Sequence, residues 1–95
     1  MSDLLNEAVS ALSSKLGGQF DGVAKFVIEG EGAIMLDADG VRAEDAPADV
    51  TLTASADVFK SILEGDLNPT SAFMQGKLSV DGDMGVAMKL GAVLG

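Results

Sequence analysis

The sequence predicts an α+β domain, a mostly antiparallel sheet of about five strands with helices on one face. Apolar residues recur at spacings of three and four at both ends of the chain, while residues 23–54 alternate one by one. Glycine-bearing turns separate the alternating stretches, and helical period returns at Ser55. A chain of 95 residues reads as one domain, 1–95.

Each element follows from its residues. Leu5, Val9, Leu12 and Leu16 mark one face of a first helix, capped by Ser2 and stopped by Gly17-Gly18. From Val23 to Gly30, Ala24, Phe26 and Ile28 alternate with Lys25, Val27 and Glu29, as a strand with one buried face requires. Gly30 and Gly32 supply a hairpin turn, after which Ile34, Leu36 and Ala38 alternate with Ala33, Met35 and Asp37 up to a second turn at Asp37-Ala38-Asp39-Gly40. By parity Met35 shares the outer face with Val27, in an exposed patch or a dimer contact. Val41 to Ala46 is short, charged and followed by Pro47, which suits an edge strand. Val50, Leu52 and Ala54 then form the third well-patterned strand of a meander.

Ser55 or Asp57 opens a helix with Val58, Phe59, Ile62 and Leu63 on one face, closed by Gly65. Asn68-Pro69 opens a shorter one carrying Ala72, Phe73 and Met74 and ending at Gly76. Lys77 to Gly82 reads as the last strand, with Leu78 and Val80 inward. Asp83 caps a terminal helix through Leu94 that is apolar round nearly all of its circumference, so it touches something besides its own sheet.

Composition excludes much chemistry. With no His and no Cys, catalytic triads, thiol nucleophiles and ordinary zinc sites are gone. Fifteen acidic against six basic residues give a net charge of −9, and the six cations form no stripe that could hold nucleic acid or an anionic membrane surface. The N-terminus has neither a basic nor an apolar leader region, and no segment is long enough to span a bilayer, so the chain is expected to be soluble and cytoplasmic. Gly30-x-Gly32 lacks the third glycine of a dinucleotide fingerprint, because Met35 stands there and a strand follows. Gly76-Lys77 has Ser71 and Leu78 where a P-loop needs Gly and Ser or Thr. Asp37-x-Asp39 and Asp81-x-Asp83 lack the remaining ligands of a calcium loop and read as turn and capping residues. No convergent polar cluster supports catalysis, and no cofactor or metal is expected.

The apolar constellation is more informative. Phe73, Met74, Met84 and Met88 come from the last two helices and should pack over the inward strand residues Phe26, Ile28, Ile34, Leu36 and Leu52. Methionine adapts to irregular space, so such a surplus fits a lipid-shaped cavity, although on composition alone Met and Phe at helical spacing more often form an ordinary core.

Residues 65–84, Gly-Asp-Leu-Asn-Pro-Thr-Ser-Ala-Phe-Met-Gln-Gly-Lys-Leu-Ser-Val-Asp-Gly-Asp-Met, resemble the signature of the sterol carrier protein type 2 family. The resemblance extends to Phe26–Leu36 and to Asp49-Val50-Thr51-Leu52-Thr53, and so covers nearly the whole chain. It implies a mixed or antiparallel five-stranded sheet, helices on one face, and an apolar tunnel between them that holds lipids. By position, Phe73 and Met74 match the family's pair after the proline, and Met84, Ala87, Met88 and Leu90 match its terminal helix near the tunnel. The end Ala92-Val93-Leu94-Gly95 lacks the peroxisomal tripeptide of eukaryotic members, which implies a bacterial-type stand-alone domain. The implied ligand is a fatty acyl, phospholipid, sterol-like or isoprenoid lipid. Acyl-CoA needs Lys77 or Lys89 at the mouth, because a −9 surface disfavours an anionic nucleotide head group.

The function expected is therefore a non-catalytic intracellular lipid carrier, monomeric, with at most transient membrane contact. Gly82, Gly85 and Gly91 would let the terminal helix move to admit the lipid. The alternative is an accessory domain that docks on a lipid-metabolising partner enzyme, or self-associates, through the same apolar C-terminal helix.

Overall fold

Alternation along Ala24–Ile28 places Ala24, Phe26 and Ile28 in the interior, and this strand, β1, is the centre of the sheet. The computed structural model describes residues 3–94. In chain order the elements are α1 (Asp3–Leu16), β1, β2 (Gly32–Asp37), β3 (Gly40–Arg42), β4 (Val50–Ala54), α2 (Ala56–Leu63), α3 (Pro69–Met74), β5 (Leu78–Gly82) and α4 (Met84–Leu94). Ser2, the expected cap of α1, lies outside the described residues.

The sheet is mixed, with strand order β3-β2-β1-β4-β5. Three of its pairings are antiparallel, but β1 and β4 run parallel, so the expected meander is corrected: the chain leaves edge strand β3, crosses the sheet, and returns on the far side of β1. The register sets Ile34, Phe26, Leu52 and Val80 side by side on one row facing the helices. α1 lies over β2 and β3 and packs against α2, whereas α4 lies over β1, β4 and β5, with α3 beside it on β5. Helix starts follow the sequence signals: Ser55 Oγ accepts from the Val58 N–H, and Asn68 Oδ1 accepts from the N–H groups of Thr70 and Ser71.

Met35 is not exposed as expected; it is 1% accessible, yet it lies outside the main core cluster. The crossover explains why. Met35 sits on the outer face between Lys25 and Arg42. Lys25 Nζ bonds Asp45 at 2.9 Å, Arg42 reaches Glu44 at 3.1 Å, and the Asp49 N–H donates to the Val23 carbonyl. Residues 43–49 are thus drawn across the outer face and cover the methionine.

Gly82 does not behave as a hinge. Its φ is +118°, and a Cβ there would collide with the Asp49 carbonyl oxygen and come within 2.9 Å of Val50 Cα. The Asp83 N–H donates to that same carbonyl at 2.9 Å, so the start of α4 is pinned to the start of β4.

Candidate functional site

Because α1 and α4 cover opposite halves of the sheet, the inward-facing strand residues meet two different environments. Ile28, Ile34 and Leu36 are fully buried in the closed core and do not border any cleft. The other half is open. Between β4–β5 and the pair α3–α4 lies a cleft of about 590 Å³, within the range of roughly 300–1,000 Å³ that small-molecule sites occupy.

Its floor is Phe26, Leu52, Leu78 and Val80, neighbours on the pleat. Phe26 is held from behind by Phe59 of α2, ring centroids 4.4 Å apart and planes at 61°, an edge-on contact that fixes the aromatic floor. One wall is α3, which offers Pro69, Phe73 and Met74. Here Pro69 and Ala72 face the core, and that phase leaves Phe73 44% and Met74 80% exposed.

The other wall is α4, and its all-round apolar character resolves into separate faces. Ala87, Leu90 and Leu94 are buried against the core. Met84 and Met88, one turn apart, are 49% and 72% exposed and turn to the cleft with Gly91 and Ala92. Lys89 points elsewhere, to Asp21 at 3.3 Å. Asp83 Oδ1 accepts from the N–H groups of Gly85 at 2.8 Å and Val86 at 3.2 Å and so caps the helix beside the mouth.

Of the eleven residues expected at the site, the fold gathers seven around the cleft: Phe26, Leu52, Phe73, Met74, Met84, Ala87 and Met88. Leu90 is a correction together with Ile28, Ile34 and Leu36, because it is wholly buried behind the wall. Leu78, Val80, Pro69 and Leu94 line the cleft without having been singled out as lining residues. The inward parity of Leu78 and Val80 on the last strand was the signal that could have placed them in the floor.

Chemically the cleft is an apolar surface with a polar edge made by Asn68 and Thr70. Among the described residues no group of His, Cys, Asp or Glu is placed to hold a metal ion, and no polar or charged residue is buried. The strongest charge cluster lies remote from it, on the outer face. There the Arg42 guanidinium grips both oxygens of Asp37, at 3.0 and 2.9 Å, and holds that carboxyl below its ordinary value.

Comparison with known proteins gives a consistent result. The model of the SCP-2 sterol transfer family matches residues 3–95. Hydroxysteroid dehydrogenase-like protein 2 of Danio rerio is 35% identical over 98 residues, covering 95% of this chain and 24% of that protein. Sterol carrier protein 2 of Rattus norvegicus is 36% identical over 98 residues, 90% of this chain and 17% of that one. The chain therefore spans less than a quarter of the length of these curated relatives. Among solved structures, a sterol carrier protein 2 of Aedes aegypti in complex with the C16 fatty acid palmitate superimposes with a TM-score of 0.78 at 25% identity, covering 99% of this chain and 96% of that one.

Proposed function

The chain belongs to the SCP-2 sterol transfer family, and from that membership we propose that it is a non-catalytic carrier holding the apolar tail of a lipid in the cleft between β4–β5 and α3–α4. The observation that carries the reading is the cleft itself: about 590 Å³ of apolar space rimmed by large side chains, Phe73, Met74, Met84 and Met88, that remain exposed. A tail lying there buries its own surface and theirs. Each buried methylene contributes at most about 0.8 kcal/mol, roughly 12 kcal/mol gross for some sixteen carbons, from which association and ordering costs are subtracted. The net result is micromolar affinity, roughly −8 kcal/mol. The palmitate complex of the Aedes aegypti relative supports a fatty acyl tail as one ligand.

In this reading Phe26, Leu52, Phe73, Met74, Met84, Ala87 and Met88 touch the tail, while Ile28, Ile34 and Leu36 pack beside the floor in the closed half of the core and Leu90 backs the α4 wall. No helix among the described residues is long and apolar enough to cross a membrane. We place the carrier in the cytoplasm as a monomer, meeting membranes only to exchange its lipid. The adaptor alternative is not favoured: the Ala87–Leu90–Leu94 face of α4 is already packed on the core, leaving a partner the strip beside the cleft and Val93.

Native mass spectrometry of the protein incubated with palmitate tests the reading. One lipid per chain, released intact by solvent extraction, is expected. A protein that retains no palmitate and also takes up no fluorescent acyl ester refutes it.

A further inference from the structure

Among the described residues none of those lining the cleft is charged, and its polar side chains are Asn68 and Thr70 at the edge. Asn68 Oδ1 is already committed to the N–H groups of Thr70 and Ser71, at 2.8 and 3.4 Å. What remains is the Asn68 amide N–H₂ and the Thr70 hydroxyl, a donor set suited to an alcohol or carbonyl oxygen.

The cations lie elsewhere. Lys25 and Arg42 pair with acidic residues on the outer face, and Lys89 pairs with Asp21. Lys15, Lys60 and Lys77 do not line the cleft. The N-terminus of α4 is taken up by the Asp83 carboxylate, which sets a negative charge next to Met84 at the mouth. The net charge of −9 adds repulsion of the same sign.

We infer that the cleft selects lipids whose head group is uncharged, such as an alcohol, ester or protonated acid, over carboxylate or phosphate lipids with the same tail. The inference rests on the carrier reading above. An anionic head at this mouth meets no lining counter-charge, only Asp83 and a −9 surface of its own sign, so a fatty acid is held better once it has taken up a proton from solution.

The test uses the full chain and two probes with one tail, dodecan-1-ol and dodecanoate, each competing with a fluorescent dodecyl ester. At about pH 8 the alcohol is expected to bind at least about tenfold more tightly. The dodecanoate Kd should fall by up to about tenfold per pH unit as the solution is acidified, with the alcohol unchanged. Equal affinities at about pH 8, with no pH dependence for dodecanoate, overturn the inference. Met74→Lys sets an ammonium at a rim position that is 80% exposed and should shrink the alcohol-to-carboxylate ratio by about two- to fivefold. A ratio unmoved by that substitution also counts against selection at the mouth. If neither compound nor the ester binds, it is the carrier reading that fails, and the selectivity falls with it.

Discussion

Phe26→Ala probes the junction of core and cleft. The ring is fully buried, centred in the row Ile34–Phe26–Leu52–Val80, and meets the edge of Phe59 at 4.4 Å. Truncating a buried phenylalanine costs about 3–5 kcal/mol, of which an aromatic pair accounts for about 0.5–1.5. Because Phe26 borders an open cleft, the space left behind is not sealed, which places the loss near the lower end, about 3 kcal/mol. Against a total stability of roughly 5–14 kcal/mol for a chain of this length, that is a large fraction. It corresponds to a melting temperature lower by about 12–24 °C. Urea denaturation is the assay: the midpoint should move while the slope holds. A loss below about 1 kcal/mol would refute a floor clamped between Phe59 and the sheet.

Met88→Ala tests the opposite property of the same site. With its side chain 72% exposed, stability should change by less than about 0.5 kcal/mol, while acyl-probe binding weakens about fivefold in a fluorescence titration. Gly82→Ala should cost about 2 kcal/mol or more in urea denaturation, since the residue holds φ +118° against the Asp49 carbonyl; an unchanged midpoint would remove that close approach from the account. The third concerns acid. Arg42 holds the Asp37 carboxyl below its ordinary value of 3.8, so the ionised group stabilises the fold above that value and the contribution is lost as pH falls through the lower, folded-state value. Arg42→Met should return the Asp37 titration, followed by carboxyl carbon NMR, towards 3.8; a titration that does not move would mean the bidentate pair does not form in solution.

The elements were legible in the sequence because their signals are local. Asn68-Pro69 caps and starts α3 by chemistry confined to four residues, and the parity of Phe26, Ile28 and Leu52 places them on the inner face. What could not be read depends on which distant pieces meet. Alternation is the same whether β4 pairs with its neighbour in sequence or crosses to run parallel with β1. Parity likewise assigns Ile34 and Leu52 to one face without saying that α1 closes over the first and that the second stays open beside α4. Met35 was misplaced for a related reason: its cover, residues 43–49, has the composition of an exposed loop and is held down by ion pairs.

The two margins of the sheet bear on how such a protein behaves in a crowded solution. An open strand edge invites pairing with another chain, and a molecule that also keeps an apolar cleft open is doubly exposed to clumping. Here β3 offers only three residues, ending at Arg42, whose guanidinium is engaged with Asp37 and Glu44. The opposite margin, β5, carries Asp81 and gives way at Gly82 to a helix. The shortness of β3 and the end of β5 at Gly82 guard the margins whatever the salt, while the charges of Arg42 and Asp81 and the net charge of −9 add a guard that salt weakens.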